Sequence, residues 1–199
     1  MKLTFQSLSV LLVSVCACGG GGSSSPGSVT GTIHGQKFAI VDAVSASVTF
    51  TDAQTGTTSS QAAIILTSTP NACQDLAGNI ERMNEQLFVL GVATITGTTV
   101  AAPTATGAYT VFDTNSGTAP PPMAALVNAI ATDTTCMSTA NSANGTSGTV
   151  TLTTINGNTF DGKFDVTLDS GDHITGSFSP EACPGLQQAL NSTATPTCM

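Results

Sequence analysis

The fold is decided by the stretch from residue 150 to residue 178, VTLTTINGNTFDGKFDVTLDSGDHITGSF. Apolar and polar side chains alternate along it, which is the period of strands that are buried on one face. The alternating apolar positions are Val150, Leu152, Phe164, Val166, Leu168, Ile174 and Phe178. Asn156-Gly157 and the run 169–172 separate the apolar runs and have typical turn composition. The stretch therefore predicts a three-stranded antiparallel meander with one apolar face.

The remainder of residues 28–199 also has the composition of β-strands. Further segments with strand composition lie at 29–33, 37–41, 44–50, 62–67, 86–96, 107–113 and 123–131. The last of these also fits a helix, because Met123, Leu126, Val127 and Ile130 have helical spacing; we predict a strand. Repeated short strands with Gly-rich turns predict a single, mainly β domain, an antiparallel β-sandwich or open barrel.

One short α-helix is predicted between two of these strands, at about residues 71–84. Asn71 is a suitable N-cap, and Gly78 is an unfavourable residue within the helix. The predicted buried face consists of Cys73, Leu76, Ala77, Ile80 and Met83. The predicted outer face consists of Asp75, Glu81, Arg82 and Glu85. Such a helix would lie against an edge of the sheet.

The N-terminal segment has the organisation of a signal for export. Lys2 carries one positive charge, an apolar run covers residues 3–15, and small residues follow. The run is shorter than the about 20 apolar residues that a membrane-spanning helix needs. Val15-Cys16-Ala17-Cys18 resembles the lipobox of bacterial lipoproteins, in which the last cysteine is acylated and becomes the first residue of the mature chain. Cys16 departs from the usual Ala, Ser or Thr.

This resemblance implies a signal peptide at 1–17, lipidation of Cys18 with two or three acyl chains, and a Gly/Ser tether over 18–27. Ordinary signal-peptidase cleavage after Ala17 is the alternative. Cleavage before Cys18 leaves Cys18, Cys73, Cys136, Cys183 and Cys198, an odd number of thiols for an oxidising compartment. Acylation of Cys18 leaves four, which favours the lipoprotein interpretation.

The four remaining cysteines permit three disulfide pairings. We predict Cys73–Cys136 and Cys183–Cys198. The second would close a short loop, and both would attach irregular segments to the sheet. Zinc binding is disfavoured, because Cys-x-x-Cys spacing and neighbouring histidines are both missing from the sequence. No metal ligand or cofactor is therefore predicted.

The charge balance excludes most nucleic-acid-binding classes. The chain of 199 residues has 12 acidic and only 4 basic side chains, for a formal charge of −8. It therefore has no basic stripe to neutralise phosphates or to hold an anionic membrane surface. The predicted partners are a membrane, through the N-terminal lipid, and an unidentified envelope protein or polysaccharide.

The search for catalytic motifs finds none of the familiar hydrolase or nucleotide-binding patterns. His34 is interpreted as a hairpin-turn residue, and His173 as an exposed residue at the start of a strand. The alternative is a catalytic triad that includes His173 and is assembled from distant segments, which would make the protein an envelope hydrolase. Asp165, Asp169 and Asp172 form either a solvated acidic face or a calcium site. Asp113-Thr-Asn115-Ser-Gly117 resembles the start of a calcium loop but is interpreted as a turn.

Two groups of segments resemble uncharacterised lipoproteins of Gram-negative, myxobacteria-like bacteria. These are residues 29–38 with Asp42-Ala43, and residues 148–152 with 176–183. The resemblance implies anchoring in the outer membrane, facing the periplasm or the cell surface, and brings no assigned activity. We therefore expect a non-enzymatic, lipid-anchored binding or scaffolding module. An envelope hydrolase and a calcium-stabilised, adhesin-like domain are the alternatives.

Overall fold

The computed structural model describes residues 25–51 and 56–199. The described part is mainly β, with two short helices, as the sequence predicts. The strands are β1 (Gly27–Thr30), β2 (Thr32–Ile33), β3 (Gln36–Lys37), β4 (Asp42–Thr51), β5 (Thr58–Thr67), β6 (Ile80–Glu81), β7 (Gln86–Thr96), β8 (Thr99–Ala101), β9 (Gly107–Val111), β10 (Met123–Ala131), β11 (Ala143–Asn156), β12 (Thr159–Leu168), β13 (His173–Phe178), β14 (Glu181–Ala182) and β15 (Thr197–Cys198). The helices are α1 (Ala72–Ala77) and α2 (Leu186–Leu190).

Eleven of these strands form one curled, open sheet. Its order is β1-β13-β12-β11-β9-β10-β7-β5-β4-β14, with β8 paired to β7. The pairings β9–β10 and β14–β4 are parallel, and the others in this sheet are antiparallel. The curl brings β4 to the β11–β12 turn, where Ser45 Oγ donates a hydrogen bond of 2.9 Å to the carbonyl oxygen of Asn158.

The predicted meander is confirmed as β11, β12 and β13. Val150 pairs with Phe164, and Val166 pairs with Ile174, so the apolar side chains of the three strands share one face. The turn between β11 and β12 contains Gly157 at φ 61°, a left-handed conformation that glycine adopts without steric cost. The segment 123–131 is a strand, as predicted, and lies between β7 and β9.

The main core fills the concave face of the curled sheet. Phe88 on β7 is the centre of a line of rings, with its centroid 6.4 Å from that of Phe38 and 4.9 Å from that of Phe164. Phe178 stacks on Phe164 at 6.5 Å. β7 is a central strand of the sheet, which explains why the segment 86–112 carries no charged side chain.

A second, smaller core lies on the opposite face of β4 and β5. The two helices cover it, and its buried members are Val44, Ala46, Val48, Ala63, Ile65, Ala72, Cys183 and Leu186. β4 and β5 are thus covered on both faces, which accounts for the continuous apolar run at 62–66. The helix α2 was not predicted, because the segment that contains it has only five helical residues between Gly185 and Asn191.

The predicted helix at about 71–84 is too long. It ends at Ala77, and Asn79 follows in the left-handed region at φ 52°. Ile80 and Glu81 then form a short strand with the C-terminal residues Thr197 and Cys198. This pairing joins segments more than a hundred residues apart, and local helical spacing cannot reveal it.

Five side chains near this helix also differ from the prediction, and one of them is Ala77, which was predicted to be buried and is exposed. Asn71 forms no side-chain capping bond; instead the Ala72 amide donates to Asp42 Oδ2 at 2.9 Å. Met83, predicted to be buried, is 45% exposed. Asp75 and Glu85, predicted to lie on the outer face, are only 7% and 9% exposed.

The predicted N-terminal hairpin is present but shorter than expected. Strands β2 and β3 pair across His34 and Gly35, and residues 38–41 do not belong to a strand. β1 pairs with β13 at the edge of the large sheet instead of extending into the hairpin.

The sheet has one end that is rich in polar connections. There lie the start of β7, the ends of β5 and β10, and the start of β11. We call this the Glu85 end. The curl of the sheet keeps β1 close to it: a Cβ placed on Gly27 would lie 3.0 Å from Cδ1 of Ile40, and the amide of Val41 donates a hydrogen bond of 2.8 Å to the carbonyl oxygen of Thr67 at the end of β5. Within the described ranges, no helix is long and apolar enough to cross a bilayer.

Candidate functional site

The predicted lipidation site lies outside the described residues. This applies to the signal segment 1–17, to Cys16 and Cys18, and to the tether as far as residue 24. The described chain begins at Ser25, and β1 starts two residues later. The last part of the predicted tether, 25–27, therefore leads directly into the edge strand.

The predicted disulfide pairing is wrong, although all four cysteines are paired. The bonds are Cys73–Cys183 and Cys136–Cys198. Cys73 lies in α1, and Cys183 follows β14, which pairs with the start of β4 beneath α1. Cys198 lies in β15, which β6 holds near the loop that contains Cys136. The pairing thus follows from tertiary contacts and not from the loop lengths on which the prediction depended.

The three carboxylates predicted to form either an acidic face or a calcium site each bind a different protein group. Asp165 Oδ1 lies 2.8 Å from His173 Nε2. Asp169 accepts hydrogen bonds of 3.0 Å from the backbone amide and from the side-chain amide of Asn144. Asp172 accepts a bond of 2.7 Å from the amide of His34. No group of three or more potential ligands within residues 25–51 and 56–199 is arranged to hold a metal ion.

The other predicted turn and histidine positions are confirmed. Asp113 Oδ1 accepts a hydrogen bond of 2.7 Å from the amide of Asn115, which closes a turn after β9. His34 occupies the β2–β3 turn at φ 49°. His173 begins β13, and its exposed ring contacts Asp165. For the part of the chain that is described, the hydrogen bonds of the His173 ring do not include a hydroxyl nucleophile.

A polar cavity of about 490 Å³ opens at the Glu85 end of the sheet. Five separate segments contribute to it: the β2–β3 hairpin, the end of β5, the start of β7, the end of β10 and the connection to β11. Its lining residues are Gln36, Ser68, Asn84, Glu85, Gln86, Ala131, Thr132, Asp133, Thr139 and Asn141. The walls therefore consist of amides, hydroxyls and two carboxylates, and this lining includes no basic or aromatic side chain.

Glu85 is the most buried polar residue of the cavity wall. Its Oε1 accepts hydrogen bonds from the hydroxyls of Thr67 and Thr69, and its amide donates to Thr132 Oγ1 at 2.9 Å. Within the described chain, no hydrogen bond reaches Oε2, and no ion pair involves this carboxylate. Glu85 also lines a second pocket with Ile65, Asp75 and Leu87 under the helices, and its negative charge is one of the causes that raise the pKa of Arg82.

Asp133 lies in the neighbouring segment of the cavity wall, where its carbonyl oxygen accepts a hydrogen bond of 3.0 Å from the amide of Asn84. Its Oδ1 accepts hydrogen bonds from the amide and hydroxyl of Thr135, both at 2.7 Å, and from the amide of Met137 at 3.1 Å. The hydrogen bond from the Thr135 hydroxyl is the main cause that lowers the pKa of Asp133. Both carboxyl groups therefore use one oxygen to hold the structure and leave the other oxygen unbonded among the described residues.

A partly buried ion pair supports the segment that leads to the cavity. Arg82 Nε and Nη2 donate hydrogen bonds of 2.8 and 2.7 Å to the two carboxylate oxygens of Asp75. The hydrogen bond to Asp75 is the main cause that raises the pKa of Arg82. This bidentate contact connects α1 to the segment between β6 and β7. It fixes the position from which Asn84 and Glu85 reach the cavity.

The comparisons with known proteins add nothing to this geometry, since no family model, curated protein or solved structure matches the chain. Sequence reasoning did not find the cavity, because its residues come from five segments. The available signal was the clustering of polar residues at the ends of three predicted strands, at positions 68, 84–86 and 132–133, and in the connection that contains Thr139 and Asn141.

Proposed function

We propose that the chain is a lipid-anchored lipoprotein of a bacterial cell envelope, acylated on Cys18, and that its β domain is a non-enzymatic binding or scaffolding module. The observation that carries this proposal is the use of all four cysteines of residues 28–199 in two disulfides. Disulfides persist in oxidising compartments outside the cytoplasm. Because these disulfides pair the four domain cysteines with one another, none of the four is left to pair with Cys18. Lipid attachment needs Cys18 to be unpaired in this way.

The charge of the protein makes a lipid the suitable means of attachment. A formal charge of −8 opposes binding to anionic membrane surfaces. Each buried methylene of an acyl chain contributes about 0.8 kcal/mol to membrane binding, and two or more chains give stable anchoring. The Gly/Ser run after Cys18 would act as the tether between the acyl chains and β1.

The location that we propose for the module is the outer membrane, on its periplasmic or surface face, and the partner is an envelope protein or polysaccharide. The tether would join β1 at Gly27, at the edge of the large sheet. Gly27 is not among the residues that line the polar cavity, so attachment there leaves the cavity open to such a partner.

The anchor is tested by expressing the full chain in a bacterium with a lipoprotein pathway. We expect mass spectrometry of the mature N-terminus to find an acylated cysteine corresponding to position 18. Cys18→Ser should move the protein from the membrane fraction to the soluble fraction, while the matched variant Cys16→Ser should remain membrane-bound. An unmodified mature N-terminus, or Cys18→Ser protein that stays in the membrane fraction at the wild-type level, would refute the proposal.

A further inference from the structure

We propose that the Cys136–Cys198 disulfide is a reducible latch: its reduction by a dithiol releases residues 191–199 while the rest of the domain stays folded. We call residues 191–199 the C-terminal strap. The proposal goes beyond the binding function, since it concerns the β domain alone and does not require an acylated Cys18. It follows from the exposure of the two disulfides, from the bonds that hold the strap and from the apolar surface that the strap covers.

The two disulfides differ in their access to an attacking thiolate. Cys183 is fully buried in the second core, and its partner Cys73 is partly buried. Cys198 is exposed, as are all the other residues of the strap, and its partner Cys136 is 7% exposed. A thiolate therefore reaches the second bond through Cys198. Exposed disulfides are the ones that thiols reduce readily.

The reduction consumes one dithiol and yields two cysteine thiols. One thiolate of the dithiol attacks Cys198 Sγ, a mixed disulfide forms there, and the Cys136 sulfur leaves as a thiolate. The second thiolate of the dithiol then closes its own disulfide and expels the Cys198 thiolate. Two electrons and two protons thus pass from the dithiol to the two cysteines. The active-site pair of a thiol–disulfide oxidoreductase is a dithiol of this kind.

The structure already provides a partner for one product of this reaction. Cys136 Sγ lies 3.4 Å from the carbonyl oxygen of Glu81, which can accept a hydrogen bond from the Cys136 thiol. Cys136 also has a φ of 60°, a left-handed conformation that is unfavourable for a residue with a side chain. Reduction removes one of the constraints that hold it there.

Apart from the disulfide, a short strand pairing is the main attachment of the strap. The amides of Thr197 and Met199 donate hydrogen bonds of 2.9 Å to the carbonyl oxygens of Asn79 and Glu81. The amide of Met83 donates a bond of 2.9 Å to the carbonyl oxygen of Met199. Because every residue of the strap is exposed, little apolar burial opposes its release. Such a segment detaches by local opening once the covalent link is broken.

The segment between β6 and β7 has other attachments, which do not involve the strap. Arg82 donates two hydrogen bonds to Asp75, and the carbonyl oxygen of Arg82 accepts a bond of 2.7 Å from the Thr132 hydroxyl. The amide of Asn84 donates a bond of 3.0 Å to the carbonyl oxygen of Asp133. Reduction of the latch therefore opens the structure locally, and the other disulfide continues to hold the second core.

The strap covers apolar surface on the helix side of the sheet. A cleft of about 290 Å³ is lined by Leu76 of α1, by Ile80 of β6 and by the strap residues Ser192, Ala194 and Pro196. Leu76 and Ile80 also line the neighbouring pocket, together with Ile65 and Ala72 of the second core. Without the strap, Leu76 and Ile80 lose part of their cover, and apolar surface becomes accessible to solvent.

The latch is tested on the full chain, purified without denaturant and with both disulfides intact. Dithiothreitol is the dithiol; free thiols are alkylated at intervals, and peptide mass spectrometry measures the labelling of each cysteine. We expect Cys136 and Cys198 to be labelled together, at least about tenfold faster than Cys73 and Cys183, because the buried bond reacts only when the second core opens.

Hydrogen exchange measures what the reduction releases. In the partly reduced protein, the amides of Met83, Thr197 and Met199 should lose their protection. The amide of Cys183, which donates a bond of 2.8 Å to the carbonyl oxygen of Ser45, should keep its protection. The fluorescence of anilinonaphthalene sulfonate, a probe of exposed apolar surface, should rise while the far-UV circular dichroism stays unchanged.

Two double variants separate the latch from general effects of the reductant. Cys136→Ala with Cys198→Ala should show the released exchange pattern without dithiothreitol and should not respond further to it. Cys73→Ala with Cys183→Ala is the matched control, and its remaining disulfide should respond at the same dithiothreitol concentration as in the wild type.

Three outcomes would overturn the proposal. These are labelling of all four cysteines at one rate, labelling of Cys73 and Cys183 first, and protection of the Met83, Thr197 and Met199 amides that survives reduction. The anchoring proposal fails on a different measurement, the N-terminal mass and the membrane fraction, so the two failures are distinguishable.

Discussion

The two disulfides should differ in their contribution to stability, although simple chain entropy makes them nearly equal. They join residues 110 and 62 positions apart. Loop closure in the unfolded chain then corresponds to about 4.8 kcal/mol for Cys73–Cys183 and about 4.3 kcal/mol for Cys136–Cys198. The structure around each bond changes this expectation.

Cys183 is fully buried, and with Leu186 it belongs to the second core under the helices. After replacement of Cys73 and Cys183 by alanine, the segment around Cys183 cannot detach without exposing the second core. The folded state therefore gains no conformational entropy that would offset the loss of the disulfide. We expect a loss of at least about 4 kcal/mol, which with a urea m-value of about 2 kcal/mol/M lowers the unfolding midpoint by about 2 M.

Cys198 lies in a different environment, because residues 191–199 are all exposed. After replacement of Cys136 and Cys198 by alanine, the C-terminal segment can detach from β6 while the two cores remain intact. The folded state then regains part of the chain entropy, and the net loss should be below about 2 kcal/mol. Urea unfolding of both double variants without reductant measures the difference. Equal midpoint shifts, or a larger shift for Cys136/Cys198, would refute the reasoning.

Three further perturbations have defined outcomes. Gly176→Ala should lower stability by about 1–3 kcal/mol in urea unfolding, because its Cβ would overlap with the backbone oxygen of Ser28 and lie 2.5 Å from Cζ of Phe164. Asp172→Asn should reduce the stability that the protein loses on acidification. Hydrogen bonds, above all the one from the Ser170 side chain, lower the pKa of Asp172 in the folded state. The ionised carboxylate therefore stabilises the fold above pH about 4, and this stabilisation disappears as the pH falls through the folded-state pKa. Tyr109→Phe should cost about 1 kcal/mol, since the Tyr109 hydroxyl donates a 2.7 Å hydrogen bond to the Ala105 carbonyl oxygen.

Each of these expectations has a contradicting result. Wild-type stability of Gly176→Ala would mean that the neighbouring ring moves aside freely. An Asp172→Asn variant with the same acid sensitivity as the wild type would remove this carboxylate from the pH dependence. A Tyr109→Phe variant as stable as the wild type would show that the hydroxyl satisfies its hydrogen bond equally well in the unfolded chain.

The sheet could be predicted because its determinants are local. The alternation in 150–178 and the glycine at position 157 specify strand, face and turn within a few residues. The bounds of the strand at 86–96 are predicted to the residue. In such segments, local preference and tertiary burial favour the same structure.

The errors occur where distant segments meet. The spacing of Ile80 and Met83 suits a helix, but the pairing of β6 with the C-terminal β15 takes precedence over it. The disulfide partners were wrong for the same reason, because the contacts of β14 with β4 and of β15 with β6 determine which cysteines are neighbours. The cavity was missed because no single segment contains more than three of its residues in succession.

The positions of the disulfides are consistent with the cavity as the working part of the proposed module. The Cys136–Cys198 bond joins the loop after β10 to β15, and β15 pairs with β6 on the segment that leads to Asn84 and Glu85. Two irregular walls of the cavity are thereby linked through a disulfide and a short backbone pairing, in a region where the sheet supplies few ladder hydrogen bonds. A binding site loses less entropy on association with a ligand when its own walls are already held in position.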